Sequence, residues 1–319
     1  MDLSVVFAGT AGSVPTARRG LPATLVRRGG DRILFDCGEG TQRQLIRTVG
    51  LPEIDDVYVT HLHLDHWLGL PGLITSFSLR GRTRPLSVFG PPGVRAALGR
   101  LGLTGRLGYE LTVEELDRFE EVEYDGYTVG TIPVRHRGPV AYGYVLAEDP
   151  RPGRFDAALA EARGVTPGPD FGRLQRGEIV NGVRPEEVIG EERPGRRVVL
   201  SGDTAPCDAV RLAAHRADLL IHDGTFTDDE LDRALETKHS TARQAAEIAV
   251  EAEVRMLALT HLSTRYGGGE IKREARAVFE NTVVPRDGDV IEVPFPEKGP
   301  PELVRADRAA SPPEPLLPS

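Results

Sequence analysis

Residues 60–70 read THLHLDHWLGL, and they constrain the fold of this chain more than any other stretch. Three of its 8 histidines, His61, His63 and His66, fall here beside Asp65, directly after an apolar run at 57–60. Imidazole nitrogen and carboxylate oxygen are zinc donors, usually four to an ion. On extended backbone just past a strand, His61 and His63 can converge on one ion, and Asp65 and His66 can serve a second across a turn. A surface loop that is merely rich in histidine is the alternative. Two ions need more ligands, and three single residues fit: His136 after TVGTIPVR, Asp203 after RRVVLSG and His261 after MLALT. Each stands just beyond the C-terminal end of a strand-like run, where α/β sheets build their sites. Asp203 suits a bridging position, since a carboxylate has two oxygens. A water shared between two ions ionises near neutral pH and is poised to attack an electrophile.

The rest of the chain narrows what that site serves. At 319 residues it is one large α/β domain or two small ones, with no need of disulfides to stabilise its core. Cys37 and Cys207 read as reduced thiols of a cytoplasmic protein. The start, MDLSVVFAGT, has no basic segment before an apolar run, which argues against a signal peptide, and no apolar run approaches the ~20 residues that cross a membrane. The net charge of −9 confers no general affinity for nucleic acid, which needs cations gathered locally. They gather twice. Between His66 and Tyr109 there is no acid, yet Arg80, Arg82, Arg84, Arg95, Arg100 and Arg106 fall there; Arg18, Arg19, Arg27 and Arg28 form a second cluster. Two readings stay open: a phosphate-binding face, which the planar guanidinium suits, or a base-composition preference for arginine over lysine.

Short apolar runs at 3–7, 24–26, 33–36, 57–60, 86–89, 127–134, 141–146, 197–200, 219–222 and 256–260 read as strands buried on both faces. Helices are expected at 41–49 and 240–251. In the second, Thr241 and Gln244 have capping-box spacing, and Ala245, Ala246, Ile248 and Ala249 supply an apolar stripe. The alternation predicts an α/β fold. Residues 148–196 are rich in proline, glycine and charge. They read as an inserted, protruding arm rather than a linker, because core strands resume beyond them. Residues 294–319 are expected to be a disordered tail, leaving 1–293 as the catalytic domain.

The order HxHxDH, lone His, lone Asp, final His resembles the metallo-β-lactamase superfamily. That resemblance implies an αββα sandwich with a di-zinc site on one edge. The segments FAGTAGSVPTARRG, LFDCGEGTQRQL, HLHLDHWLGLPGL, PGPDFGRLQRGE, VLSGDT, HDGTF, KHSTARQAAEIA and LALTHLSTRY, in order over residues 3–285, resemble the motifs of the RNase Z family. Its members remove the 3′ trailer of precursor tRNA, leaving a 3′-hydroxyl on the tRNA and a 5′-phosphate on the trailer. Carried over by position, His61, His63 and His136 would hold the first zinc, and Asp65, His66 and His261 the second. Asp203 would bridge them. Asp65 would also orient or deprotonate the attacking water.

His222, Asp223 and His239 match the family's second catalytic patch, where an acid–histidine pair helps protonate the leaving oxygen. The usual glutamate is Asp223 here, one methylene shorter, which leaves the acid–histidine distance open. The resemblance further implies substrate contacts at Arg19 and at Gly168 and Pro169. These last two lie in an arm that grips the tRNA elbow, often from the partner subunit of a homodimer. Residues 151–177 carry five arginines against three acids, in modest support. Leu64, where glycine is common, and Trp67 read as packing residues, with base stacking open to Trp67. Gly20 stands where asparagine usually follows PTxxR. Two rivals remain at this level: a hydrolase of small esters on the same fold, and an RNA-binding module without activity.

Overall fold

Several strands of this protein are covered on both faces along their whole length. Every residue of Leu3–Gly9 and of Leu219–Asp223 is buried, which requires a layer above and a layer below. The computed structural model describes residues 1–101 and 107–306, so Arg106 and the expected tail from 307 to 319 lie outside the described residues.

Among those residues the strands form two sheets. The first runs, in spatial order, Glu302–Val304, Val290–Glu292, Leu3–Gly9, Ala23–Arg28, Asp31–Phe35, Asp56–Tyr58, Leu86–Gly90 and Leu111–Glu115. The second runs Thr282–Val283, Leu257–Thr260, Leu219–Asp223, Arg197–Leu200, Tyr142–Glu148, Tyr127–Pro133 and Glu121–Tyr124. Each joins an antiparallel half to a parallel half; the parallel runs are Asp31–Phe35 through Leu111–Glu115 and Arg197–Leu200 through Thr282–Val283. Parallel neighbours need crossover connections, and helices supply them.

Three apolar layers result. Phe7, Tyr58, Tyr144, Leu200 and Ile221 fill the space between the sheets. Leu45, Leu70 and Phe77 pack helices on the outside of the first sheet against Leu25 and Val57. Ala245, Ala246 and Ala249 pack the helix Ala242–Glu251 against Val199 and Leu220 outside the second. Each fully buried Leu, Val or Phe stabilises by about 1.5–3 kcal/mol. The architecture is the expected αββα sandwich.

The chain leaves the second sheet after Glu148 and returns at Arg196. Between them Arg151 bridges Arg193 and Phe155 bridges Ile189, making a narrow two-stranded stalk. Side chains are excluded where the strands touch: a Cβ on Gly153 would lie 1.8 Å from the Gly190 carbonyl oxygen. Beyond the stalk, the helices Ala157–Ala162 and Pro169–Gln175 close over a private cluster of Ala160, Val165, Leu174, Val180, Val183 and Val188. The segment is therefore a folded arm rather than a linker. Because Arg197 pairs with Ala147 and Leu200 with Tyr144, the arm's root sits at the start of Arg197–Leu200. Asp203 lies past that strand's other end, so arm and candidate ligands occupy opposite rims.

The expectation of disorder from residue 294 needs correction. Glu302–Val304 pairs with Val290–Glu292 as an edge strand, and the Ala306 amide donates to Asp289 at 3.0 Å. No described helix is long and apolar enough to cross a membrane.

Candidate metal centre

Each candidate ligand is delivered by a strand that has just ended. His61 and His63 follow Asp56–Tyr58, and His63 caps the one-turn helix Leu64–Trp67 that carries Asp65 and His66. His136 follows Tyr127–Pro133, Asp203 follows Arg197–Leu200, and His261 follows Leu257–Thr260. The fold brings all seven to one rim. His61, His63 and His136 form one convergent group, with His63 Nδ1 2.9 Å from His61 Nε2 and 3.2 Å from His136 Nε2. Asp65, His66 and His261 form another, with Asp65 Oδ2 3.5 Å from His66 Nε2 and 3.6 Å from His261 Nε2. Asp203 Oδ2 stands between them, 3.1 Å from His261 Nε2, 3.3 Å from His66, 3.8 Å from His136 and 3.9 Å from His61. His261 holds a left-handed backbone, φ 59°, which strains a residue with a Cβ by ~1–3 kcal/mol.

Four of the five histidines have their second ring nitrogen tied down. His66 donates from Nδ1 to Asp36 at 2.8 Å, and His136 from Nδ1 to the Lys238 carbonyl at 3.0 Å. Two threonines act as relays. Thr60 donates its hydroxyl to Asp36 and accepts from His61 Nδ1 at 3.0 Å. Thr225 donates to Asp223 at 2.6 Å and accepts from His261 Nδ1 at 2.8 Å. Each buried aspartate thus orients a ligand-type histidine through a hydroxyl, the outer arrangement that fixes tautomer and ring direction in metal sites. Asp36, Thr60 and Thr225 were missed as site residues from sequence. Asp36 stands inside the quoted LFDCGEGT motif at a strand end, and that was the available signal.

The electrostatics suit cations. Burial, and then His66, push His61 well below the usual histidine range; burial also lowers His63 and His136, which keeps the three neutral and able to donate lone pairs. Burial opposes the charge of Asp65, but the neighbouring His261 and His66 rings bring it down to about 2. Burial likewise opposes a charged His66, yet Asp203 and Asp36 outweigh it and raise that ring well above its ordinary value. His66 Nε2 and His261 Nε2 are buried with no hydrogen-bond partner. Unpaired buried nitrogens that converge on two carboxylates are what a divalent cation satisfies, so the donor set fits a metal.

Beside this group stands the acid–histidine pair. Despite its shorter side chain, Asp223 reaches His239 Nδ1 at 2.7 Å. The remaining carboxylate positions of Asp223 accept from the amides of Thr204 and Thr225 and from the Thr225 hydroxyl. That saturates it and suits it to hold His239 rather than to ligate. Burial opposes a charge on His239, but Asp223 overrides it and pushes the pKa up to about 9. The ring stacks on His261 at 5.0 Å and meets His136 edge-on at 4.8 Å. His222 lies behind, fully buried, with Nδ1 donating to the Asp223 carbonyl.

Several arginines of the two clusters are structural. Arg82 is buried, pairs with Glu53 at 2.6 Å and lies over Phe77 and Tyr109; Arg84 pairs with Asp55. Arg28 is buried against Glu148 and Tyr127. Within the arm, Arg163 pairs with Glu187, Arg173 with Asp170 and Glu178, and Arg176 with Glu178. Acids beyond the 151–177 window offset its excess of arginine. Arg19 is half-buried and donates to Thr10 Oγ1 and the Pro285 carbonyl. It walls a groove of about 1090 Å³, also lined by the exposed Arg18, Arg47 and Arg286 and by Leu262 next to His261. Gly168 and Pro169 lie exposed on the arm. Trp67 is buried with its Nε1 donating to the Leu62 carbonyl, so it packs and does not stack on a base; Leu64 is 59% exposed and does not pack.

The chain matches the beta-lactamase superfamily domain over residues 31–155 and 181–262, an interval that skips part of the arm. It is 46% identical over 302 residues to a ribonuclease Z of Methanosarcina acetivorans, covering 92% of this chain and 99% of that one. It is 44% identical over 304 residues to a ribonuclease Z of Myxococcus xanthus, covering 92% and 98%. The human short-form tRNase Z structure superposes with a TM-score of 0.68 at 26% identity, covering 91% of this chain and 99% of that one. With near-complete coverage at such identity, and a rim that gathers the seven ligand-type residues, the chain belongs to the ribonuclease Z family of the β-lactamase superfamily.

Proposed function

We propose that this protein is the tRNA 3′-processing endoribonuclease its family membership indicates, working as a homodimer with two zinc ions per subunit. The observation that carries the chemistry is the pair of three-residue ligand groups sharing Asp203, with a polarised Asp223–His239 pair alongside. His61, His63 and His136 would hold one ion, Asp65, His66 and His261 the other, and Asp203 both. Two such cations supply charge stabilisation at the phosphate oxygens and an acidified water.

The protein's own groups do the rest. Asp65, an ionised carboxylate held by the Ser13 amide at 3.0 Å, would orient the attacking water. His239 spends Nδ1 on Asp223, which leaves Nε2 to deliver a proton to the departing 3′-oxygen. Attack in line on the phosphorus then leaves the tRNA with a 3′-hydroxyl and the trailer with a 5′-phosphate.

Substrate recognition rests on the arm and on the groove walled by Arg19. The arm's root lies on the rim opposite its own centre. It therefore reaches a substrate most directly from a second subunit, which supports the homodimer and a tRNA elbow held at Gly168 and Pro169. A hydrolase of small esters would use neither arm nor groove. The test is incubation of the pure protein with a trailer-bearing precursor tRNA, followed by mapping of both new ends. An uncut precursor, or a 5′-hydroxyl on the trailer, refutes the reading.

A further inference from the structure

The arm joins the sandwich through its two feet, and among the described residues its apolar cluster is separate from the three layers of the body. Its orientation is therefore decided at the root. Three interactions meet there. Arg196, at the returning foot, places Nε and Nη2 on the Glu148 carboxylate, each at 2.7 Å, and so ties the two feet together. Its Nη1 reaches the Val293 carbonyl at 2.9 Å. Phe295 then lies between two guanidinium groups, 4.0 Å from Arg196 and 3.5 Å from Arg151. Glu297 closes the set. It accepts from Arg151 at 2.9 and 3.1 Å and from Arg193 at 3.0 Å, and these two arginines face each other across the stalk.

We infer that the segment 295–297 is a clamp that fixes the arm's angle to the body, making Phe295 and Glu297 positioning residues for a substrate gripped at a distance from the metal centre. The clamp bridges both stalk strands at once, so it resists splaying and rotation, whereas one ion pair would leave a pivot. A cation over an aromatic face, and a carboxylate shared by two guanidinium groups, also hold direction better than an isolated surface pair. The Arg151 hydrogen bond lowers the Glu297 pKa to about 2, so the clamp stays charged at neutral pH. None of these residues approaches the ligand rim, and hydrolysis of a small diester should be indifferent to them.

This inference rests on the tRNA-processing reading, and the test separates the two. The full-length variants Glu297→Ala and Phe295→Ala are compared with wild type on a trailer-bearing precursor tRNA and on bis(p-nitrophenyl) phosphate. Amide hydrogen exchange is followed at Arg151 and Arg193, whose amides bond each other's carbonyls at 2.7 and 2.8 Å. The expected result is a KM for precursor raised about fivefold with kcat preserved, unchanged diester hydrolysis, and faster exchange at both amides. Phe295→Trp, which keeps the stacking, should retain the wild-type KM. An unchanged KM, or both activities falling together, overturns the clamp. Faster exchange in variants of a protein whose wild type leaves precursor uncut upholds the clamp and overturns the tRNA reading instead.

Discussion

The role of His239 can be isolated from everything else at the rim by changing one atom of the substrate. His239 is bonded to Asp223 at 2.7 Å and stacked on His261, and its pKa of about 9 keeps it protonated at neutral pH. It stands with Asp203, Asp223 and His261 in a further convergent group, but its Nδ1 is spent on Asp223, which keeps it out of the two proposed ligand groups. His239→Ala should therefore leave metal content, measured by mass spectrometry, at the wild-type level. Loss of a positioned general acid costs ~10²–10⁴ in rate, which is ~2.7–5.5 kcal/mol of barrier. That cost falls only where the leaving atom needs a proton. A precursor tRNA with sulfur in place of the leaving 3′-oxygen expels a thiolate, which leaves unprotonated. Single-turnover cleavage by His239→Ala should thus fall ~10²–10⁴-fold on the oxygen substrate and less than ~10-fold on the sulfur one. An equal loss on both, with metal retained, would refute the proton-donor role and reduce His239 to a packing partner of His261.

Asp203 contacts ring nitrogens from both groups, so Asp203→Asn, which keeps the shape and removes the charge, should lower bound metal at both positions and abolish cleavage; full occupancy with full activity would contradict a bridging ligand. Deleting 151–177 should spare hydrolysis of a small phosphodiester and greatly weaken precursor cleavage, and equal loss of both would count against an exosite. At Glu148, burial disfavours the charge but the hydrogen bonds from Arg196 and Arg28 win and hold its pKa below the ordinary 4.5. A depressed carboxylate pKa stabilises fully above ~4.5 and is lost as pH falls through the folded-state value. Glu148→Gln should cost about 3–5 kcal/mol at pH 7 in denaturant titrations, with the gap to wild type closing below pH 4.5. Cys37 is buried and pushed up to about 12, chiefly by burial, so a thiol reagent should modify Cys207 in the native protein and Cys37 only after unfolding.

What could be read from the chain and what could not divides along one physical line. The seven ligand-type residues were legible because their side chains are themselves the chemistry and each stands at a strand's end, a local signal. The strands with both faces buried were legible for the same reason. Those missed include the edge strands Leu111–Glu115 and Glu121–Tyr124, half exposed and studded with glutamate, which show no apolar run, although the second pairs with Tyr127–Gly130 across a two-residue turn. The helix at Ala242–Glu251 formed with its Thr241–Gln244 capping box as expected, since every group of that box lies within four residues. The arm's private core was invisible, because Ala160, Val165, Leu174 and Val188 make no regular period and meet only after the stalk has paired.

Arginine shows the limit most sharply. Arg82, Arg28 and Arg47 are one letter in a sequence, yet the first two are consumed inside the protein by Glu53 and Glu148, while the third lines an open groove. A cation's role belongs to the residue opposite it, and that residue is chosen by the fold. The same holds for acids. Asp36 and Asp203 follow strands, and Asp223 ends one. One steers His66 directly and His61 through Thr60, one faces both ligand groups, and one secures His239. Composition separates none of these roles; the ring nitrogens left without partners at His66 and His261, which face Asp65 and Asp203, fit a metal ion.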